Sequence, residues 1–331
     1  MSDRAYVTLV TNADFSVGAR ALVRSLVLSG TGADMVVMHT GGVPPEALAP
    51  LTVLGARLVP VELLPTSDGF NARHGRKALH DAAPFTKGEK PGFHTPLDNF
   101  AKLRLWQLPY ERVVFLDADT LVLRNIDRLF DYPEFCAAPN VYESVADFHR
   151  MNSGVFTARP DPETFDAMLA RLDAPEAFWR RTDQTFLQDY FPDWHGLPVT
   201  MNMLQYVWFN LPDLWSWEQI KVLHFQYEKP WQDHAKADRL GPLIDLWRSY
   251  AGDGPVPDLA LTHAARYNHN KERPSPQCNQ HSARIAGCEP GTGGCSGGGD
   301  AYGSQHSTSL PRENHFLAAN QKKITCKRKL P

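Results

Sequence analysis

Three short apolar segments alternate with two helical segments near the start of the chain, and this alternation restricts the fold more than any other feature of the sequence. The apolar segments are residues 5–11, 35–39 and 56–61, and the helical segments are residues 15–28 and 44–54. Because the apolar segments contain few polar residues, they are typical of parallel strands that helices cover on both faces. The sequence therefore predicts an α/β fold with a mainly parallel sheet, in which ligands bind beyond the carboxyl ends of the strands.

The rest of the chain divides into further elements, an insertion and a tail. Further strands are predicted at residues 112–116 and 221–225, and further helices at 99–107, 165–172, 183–190 and 240–250. Residues 67–98 are polar and contain Gly and Pro, so they are predicted to form a long loop that either acts as a lid or ligand-binding loop or is simply flexible. Residues 256–331 include a run rich in Gly, Ser and Thr, which predicts a disordered tail after a single domain at residues 1–255.

Composition excludes several classes of protein. The chain has 331 residues, 43% of them hydrophobic, so it can bury a core and is not fibrous. A formal net charge of −3 gives no electrostatic reason to expect binding to nucleic acid. No apolar run approaches the length of roughly 18 residues that a membrane span requires. Only Cys136 lies in the predicted domain, so no disulfide framework supports it, and we expect a reducing, cytoplasmic location.

An apolar strand runs directly into two aspartates in the sequence RVVFLDADT. In an extended chain the side chains of Asp117 and Asp119 project to the same side, so both carboxylates can bind one cation. Carboxylate oxygens are ligands for hard divalent metals, and this DxD motif falls at the edge of the sheet where ligands bind. Solvated loop aspartates or a helix cap remain the alternatives.

Three further residues could contribute charge near this motif. His224 follows a second strand, and an imidazole added to two carboxylates shifts the metal preference from magnesium toward manganese. Lys229 and Lys102 could each meet a phosphate as a point charge. Taken singly, a structural histidine and a surface lysine are the more common explanations of such residues.

Two short polar segments are candidates for ligand binding. Asn152 and Ser153 are compact polar residues placed just before a predicted strand, and Gly154 would allow a ligand to approach the backbone. Asp183 and Gln184 open a predicted helix, where Asp183 could also serve only as an N-terminal cap.

Six segments taken in order resemble glycosyltransferase family 8, the group that includes glycogenin and galactinol synthase. They are YVTLVTN, FAKLRLW, FLDADTLVLRNIDRLFD, NSGVF, DQTFL and VLHFxxxKPW, and they span roughly residues 5–250. The resemblance implies a Rossmann-like GT-A fold and the retaining transfer of a hexose from a UDP-sugar, either UDP-glucose or UDP-galactose, with Mn(II) as the cofactor. It implies an acceptor that is a carbohydrate, a polyol or a lipid-linked sugar, with the insertion at residues 67–98 on the acceptor side, and it leaves a homodimer open.

The resemblance also implies a role for each candidate residue. Asp117, Asp119 and His224 would hold the metal, and Lys102 and Lys229 would add positive charge at the phosphates. Thr11, Asn12 and Phe15 fall where the family contacts the nucleotide, and Asn152, Asp183 and Gln184 fall at the donor sugar. Either Asp183 or Gln184 would stabilise positive charge at the anomeric carbon. Self-glucosylation is not expected, because Trp208 and Phe209 stand nearest the position of the tyrosine that glycogenin modifies, and Tyr206 lies a few residues away.

Two alternatives from other classes remain at the level of sequence. In a phosphatase of the haloacid dehalogenase type, Asp117 would attack phosphorus and Asp119 would act as an acid or base, but the chain after residue 131 offers no convincing second acidic pair. In a non-catalytic module, the same fold would bind a sugar nucleotide without turnover.

Overall fold

A seven-stranded sheet organises the part of the chain that the computed structural model describes, which is residues 3–82, 95–141 and 143–257. Its strand order is β3-β2-β1-β4-β7-β6-β8, and a second sheet has the order β5-β10-β9. The strands are β1 (Arg4–Val10), β2 (Asp34–His39), β3 (Arg57–Pro60), β4 (Arg112–Leu116), β5 (Thr120–Val122), β6 (Cys136–Pro139), β7 (Met151–Ala158), β8 (His195–Gly196), β9 (Met203–Leu204) and β10 (Val222–His224).

The main sheet is mostly parallel, as predicted. Strands β3, β2, β1 and β4 run parallel to one another, and β6 runs parallel to β8. Strand β7 is antiparallel to both of its neighbours, β4 and β6. Because β1, β2 and β4 share one direction, their carboxyl ends meet at one edge of the sheet.

Helices cover both faces of this sheet. They are α1 (Ala13–Leu28), α2 (Pro45–Val53), α3 (Asp68–His74), α4 (Arg76–Ala82), α5 (Pro96–Asn99), α6 (Pro162–Leu172), α7 (Asp183–Tyr190), α8 (Val207–Asn210) and α9 (Ala237–Ala251). Alternate residues of β1 face opposite sides, so Val7 packs in the cluster with α3, α6 and α7, whereas Val10 packs in the cluster with α1 and α2. No helix in the described part of the chain is long and apolar enough to cross a bilayer.

The predicted helix at residues 99–107 differs in type from the one observed. Helix α5 ends at Asn99, and residues Phe100–Gln107 form a 3-10 helix. This segment is buried on nearly every side, from Phe100 to Trp106, so packing rather than helix propensity sets its geometry.

The insertion at residues 67–98 is not an irregular loop in its described first half. Ser67 caps α3 by accepting the Phe70 N–H at 3.2 Å, and the Asp173 carboxylate accepts the Ser67 N–H and hydroxyl, both at 2.6 Å. A polar composition therefore serves helix capping here. Residues 83–94 of the insertion and residues 258–331 of the predicted tail lie outside the described residues.

Candidate functional site

The two aspartates of the DxD motif lie in a turn that joins the two sheets. Asp117 follows β4 in the main sheet, and Thr120 begins β5 in the second sheet. The Thr120 N–H donates to the Asp117 carbonyl at 3.0 Å, so residues 117–120 do not form the extended chain that the sequence predicts. The carboxylates still meet, because the turn directs both of them toward the end of β10.

Strand β10 places His224 against this turn. It pairs antiparallel with β5, with His224 opposite Thr120, and the Phe225 N–H donates to the Asp119 carbonyl at 2.9 Å. The His224 Nε2 atom lies 3.2 Å from Asp119 Oδ1 and 3.9 Å from Asp117 Oδ2. Ligand atoms of Asp117, Asp119 and His224 all lie within 4.8 Å of one another, so the predicted metal-binding residues come together in space.

Two buried lysines neutralise these carboxylates. The Lys102 ammonium lies 2.9 Å from Asp117 Oδ1, and the Lys229 ammonium pairs with Asp119 Oδ2 and donates to the Phe225 carbonyl at 3.0 Å. Burial raises the pKa of Asp117 above its ordinary value. Burial also acts to raise the pKa of Asp119. The neighbouring Lys229 and His224 outweigh burial there and hold the pKa of that carboxyl below its usual range.

Lys102 also connects Asp117 of the DxD motif to helix α7. Its ammonium lies 2.7 Å from Asp183 Oδ2 and donates to the Ser153 carbonyl at 3.2 Å. Burial disfavours the charged form, but Asp117 and Asp183 together raise the pKa of Lys102 above its ordinary value. Lys102 is therefore a buried permanent cation between two carboxylates.

Asp183 is fully engaged by its neighbours. Besides Lys102, it accepts hydrogen bonds from the Ser153 hydroxyl at 2.7 Å and from the Thr182 hydroxyl at 2.9 Å. Thr182 has φ of 49°, an unusual value for a residue other than glycine, and it immediately precedes α7. Gln184 is only partly buried, and its side chain makes no hydrogen bond within the described residues.

The predicted nucleotide-binding residues lie at the end of β1. The Thr11 carbonyl accepts a hydrogen bond from the Thr40 hydroxyl at 3.1 Å. Asn12 caps α1 by accepting the Phe15 N–H at 3.1 Å. The Phe15 ring lies edge-to-face with Trp231, at a centroid distance of 5.8 Å, and the Lys229 ammonium is 5.5 Å from the centre of that ring. These contacts bring the loop after β1 against the HFQYEKPW segment.

Two glycines allow close approach of neighbouring elements. A Cβ atom on Gly154 would lie 2.4 Å from His224 Cε1, so at this position of β7 only glycine leaves room for the His224 imidazole. A Cβ atom on Gly18 would lie 2.6 Å from both the Ala118 carbonyl and the Trp231 ring. Gly154 was predicted to let a ligand approach the backbone. In the structure, the His224 side chain occupies that space.

Asn152 and Ser153 lie within β7 rather than before it. Asn152 Oδ1 accepts hydrogen bonds from the Gly154 N–H at 2.9 Å and from Asn202 Nδ2 at 2.8 Å, and Asn152 Nδ2 donates to Asn140 Oδ1 at 2.9 Å. Asn202 Oδ1 in turn contacts His224 Nδ1 at 2.9 Å. The sequence analysis missed Asn140 and Asn202, although a lone asparagine in the apolar run VTMNML is a signal of buried polar contact.

The hydroxyl of Tyr206 is buried and cannot be reached by a sugar donor in this structure. Its side chain is 2% exposed, and its hydroxyl donates to Glu228 and accepts a hydrogen bond from Lys236. This agrees with the expectation that the chain does not glucosylate itself at this position.

The residues present fit a divalent cation. Three carboxylates, those of Asp117, Asp119 and Asp183, face two ammonium groups, those of Lys102 and Lys229, so the cluster has an excess of negative charge. Two carboxylates and an imidazole form a donor set of hard oxygen with nitrogen that can hold a divalent metal.

Comparison with known proteins relates the chain to enzymes that transfer sugars from nucleotide donors. Residues 6–165 match the family model described as glycosyl transferase family 8, and residues 103–240 match that of nucleotide-diphospho-sugar transferase. The glycosyltransferase GlyE of Streptococcus pneumoniae TIGR4 superposes with a TM-score of 0.54 at 17% identity, over 83% of this chain and 66% of that one. The predicted GT-A fold is confirmed.

Curated relatives fall into two groups. A putative UDP-glucuronate:xylan alpha-glucuronosyltransferase of Arabidopsis thaliana is 30% identical over 244 residues, which are 71% of this chain and 37% of that protein. Glycogenin-1 of Mus musculus is 32% identical over 243 residues, which are 70% of this chain and 66% of that protein. The chain thus spans about a third of the xylan-modifying relative and two thirds of the glycogenin.

Proposed function

The chain belongs to glycosyltransferase family 8, and we propose that it transfers a hexose from a UDP-sugar to an acceptor with retention of anomeric configuration. One observation carries the proposal. At the carboxyl edge of the parallel sheet, Lys102 joins the cluster of Asp117, Asp119 and His224 to Asp183 at the start of α7. A diphosphate site and a sugar site therefore lie side by side.

Asp117, Asp119 and His224 would hold a manganese ion in this proposal. When bound, such an ion neutralises the negative charge that develops on a diphosphate leaving group. Lys229 is buried beside the same carboxylates, and its ammonium is placed to add a fixed positive charge for the phosphates. Thr11, Asn12 and Phe15, at the end of β1, would contact the nucleotide.

The donor sugar would lie between β7 and α7. Both carboxylate oxygens of Asp183 already accept hydrogen bonds, because Lys102, Ser153 and Thr182 all donate to them. Gln184 is partly exposed and has its amide oxygen available to stabilise positive charge at the anomeric carbon. We therefore assign Gln184 to the anomeric centre and Asp183 to holding Lys102 and the wall of the sugar site.

The donor, the acceptor and the cellular location are further parts of the proposal. UDP-glucose and UDP-galactose are the proposed donors, and the names of the relatives add UDP-glucuronate as a donor to test. A carbohydrate, polyol or lipid-linked sugar is the proposed acceptor. A cytoplasmic location agrees with Cys136, a free and buried thiol, and a homodimer is open to measurement by light scattering.

Release of UDP from a panel of UDP-sugars, without acceptor, tests the proposal. The purified chain is incubated with each donor in manganese, magnesium or EDTA, and UDP is quantified by a coupled assay. Manganese-dependent release from one donor, with the released sugar first appearing as the same anomer by NMR, is the expected result. Tight binding of UDP without release from any donor, with or without candidate acceptors, would favour the non-catalytic module instead.

A further inference from the structure

We propose that three buried asparagines, Asn140, Asn152 and Asn202, position His224 for metal binding by fixing which imidazole nitrogen carries the proton. This inference rests on the proposed function, since it assumes that Asp117, Asp119 and His224 hold a divalent cation. The three side chains form one line of hydrogen bonds that begins at Asn140, the residue after β6, and ends at His224 on β10.

The direction of this line is set by a backbone group. The Gly154 N–H can only donate, and it points at Asn152 Oδ1 at 2.9 Å, so the amide oxygen of Asn152 faces β7 and its nitrogen faces Asn140. The orientation of an asparagine amide is otherwise assigned from its hydrogen-bond network, and here that network contains a donor that cannot be reversed.

The orientation of Asn152 then determines that of Asn202. Because Asn152 presents an oxygen, the group of Asn202 that contacts it at 2.8 Å must be the Nδ2 amide. Asn202 Oδ1 is therefore the atom that lies 2.9 Å from His224 Nδ1, and this nitrogen must carry a proton in order to donate. The Nε2 atom, 3.2 Å from Asp119 Oδ1, is left to offer its lone pair to a cation that it shares with the aspartates.

Burial makes this arrangement strict. Asn202 is 0% exposed, His224 is 3% exposed, and Asn140 and Asn152 are 5% and 7% exposed. Water has little access to replace a lost hydrogen bond in the line, so a partly satisfied network would be costly. Gly154 adds a steric limit, because the imidazole lies against the position that a Cβ atom would occupy.

The side chain of Asn152 is mostly occupied by this network and has little capacity left for the donor sugar. Its Oδ1 atom accepts two hydrogen bonds and its Nδ2 atom donates one, which leaves a single N–H for any other partner. The contact with the donor sugar that the family resemblance implies can involve no more than this one N–H. Asn152, like Asn140 and Asn202, is accordingly a positioning residue for the metal ligand.

Substitution of Asn202 tests the inference through the metal itself. Mn²⁺ is titrated into wild type and Asn202→Leu, with and without UDP, and free Mn²⁺ is measured by electron paramagnetic resonance. Loss of an outer partner of a metal-bound histidine typically weakens metal binding by about 10- to 100-fold, and we expect Asn202→Leu to fall in this range. Asn140→Ala should lose less affinity, because the Gly154 N–H still holds Asn152 in place.

The proton position is measured separately. In ¹⁵N-histidine-labelled protein without metal, the His224 signal is assigned by its loss in His224→Gln. Wild type should show the proton on Nδ1, and Asn202→Leu should shift the proton toward Nε2. A purely structural role for Asn202 would leave the tautomer unchanged.

Controls separate the possible failures. Asn71→Ala removes an asparagine of α3 that exchanges two hydrogen bonds with Thr66, and it should leave both Mn²⁺ affinity and the tautomer unchanged. If wild type does not bind Mn²⁺ even with UDP, the proposed function fails and this inference fails with it. If wild type binds Mn²⁺ while Asn202→Leu and Asn140→Ala bind it equally well with the same tautomer, only this inference is overturned. Should Asn202→Leu not fold, Asn140→Ala carries the test alone.

Discussion

Asp183 and Gln184 are neighbours in sequence with opposite surroundings in the structure. The carboxylate of Asp183 is buried against Lys102, whereas the Gln184 side chain is partly exposed and makes no hydrogen bond in the part of the chain that the structure describes. This difference in single-residue surroundings is why we propose that Asp183 holds Lys102 and that Gln184 stabilises the anomeric carbon.

The two residues should therefore respond differently to substitution. Asp183→Asn removes one of the two carboxylates that face a buried ammonium, and we expect unfolding free energy to fall by about 3 kcal/mol, the lower end for a broken buried pair because Asp117 remains. Gln184→Ala should keep the stability of wild type within about 0.5 kcal/mol and lose turnover. Urea unfolding and UDP release, measured on both variants, distinguish them, and a stable Asp183→Asn would contradict the assignment.

The sequence correctly predicted which residues come together where each candidate stands at the end of a strand. Asp117 and Asp119 follow a strand directly, and His224 ends another, so the sheet edge brings them together. Asn140 and Asn202 could not be found in this way, since no sequence spacing links residues from separate elements that meet only through a buried network. Lys102 and Lys229 were predicted at phosphates, and the structure adds the aspartates to which they are paired.

At the scale of elements, helix α1 must approach the DxD turn closely. Gly18→Ala would place a Cβ atom 2.6 Å from the Ala118 carbonyl, between the two aspartates proposed to hold the metal. We expect destabilisation of about 1–3 kcal/mol from overpacking and a loss of UDP release as the turn moves. Gly241→Ala in α9 is a matched control, because nothing lies within 4 Å of its Cβ position, and it should gain up to about 1 kcal/mol. Thermal unfolding of both variants decides the matter; equal stability for the two would refute the packing argument.

Helix α3 is joined to the segment before α7 through a neutral histidine. His74 Nδ1 donates to the Phe70 carbonyl at 3.0 Å, and Nε2 accepts the Trp179 N–H at 2.9 Å. Burial lowers the pKa of His74 below 6.5, with Arg73 acting in the same direction and Asp173 opposing it. The first half of the insertion is thereby fixed against the segment that precedes α7, which a polar sequence alone did not indicate.

This histidine should make stability depend on pH. The unfolded chain takes up a proton at His74 near pH 6.5, whereas the folded chain resists it, so the unfolded state binds more protons below that pH. The contribution of His74 is present above pH 6.5 and is lost as the pH falls through the lowered, folded-state pKa. Between about pH 8 and about pH 5.5, wild type should lose more unfolding free energy than His74→Gln. If urea unfolding shows that wild type and His74→Gln lose the same unfolding free energy over this pH range, His74 does not contribute in this way.

At the scale of the whole molecule, every candidate site residue lies between Thr11 and Lys229. Within the described residues, α9 is held against α1 by hydrogen bonds from Arg24 to the Ser249 and Tyr250 carbonyls at 2.8 and 3.2 Å. Removal of residues 271–331 is therefore expected to leave UDP release per mole of protein unchanged. Loss of folding in the truncated chain, seen by circular dichroism, would show that the tail is part of the domain.

Much of the fold was accessible from sequence because most strands of the main sheet are apolar and the helices are periodic. In the second sheet the sequence predicted only β10, as part of the strand at residues 221–225, since β5 and β9 are three and two residues long and are defined only by pairing with β10. Strand β7 was predicted to begin after Asn152 and Ser153, because polar residues inside a fully buried strand contradict the usual pattern; here each polar side chain has a partner.

The most direct test of the account compares UDP release by wild type and Asp119→Asn at saturating donor, with manganese and with EDTA. Asp245→Asn, which changes an exposed aspartate of α9, serves as the control. We expect manganese-dependent release by wild type and by the control, and a loss of more than about 100-fold in Asp119→Asn, since a direct metal ligand should matter more than an outer partner. Undiminished release by a folded Asp119→Asn would contradict the central claim that this cluster holds the metal for sugar transfer.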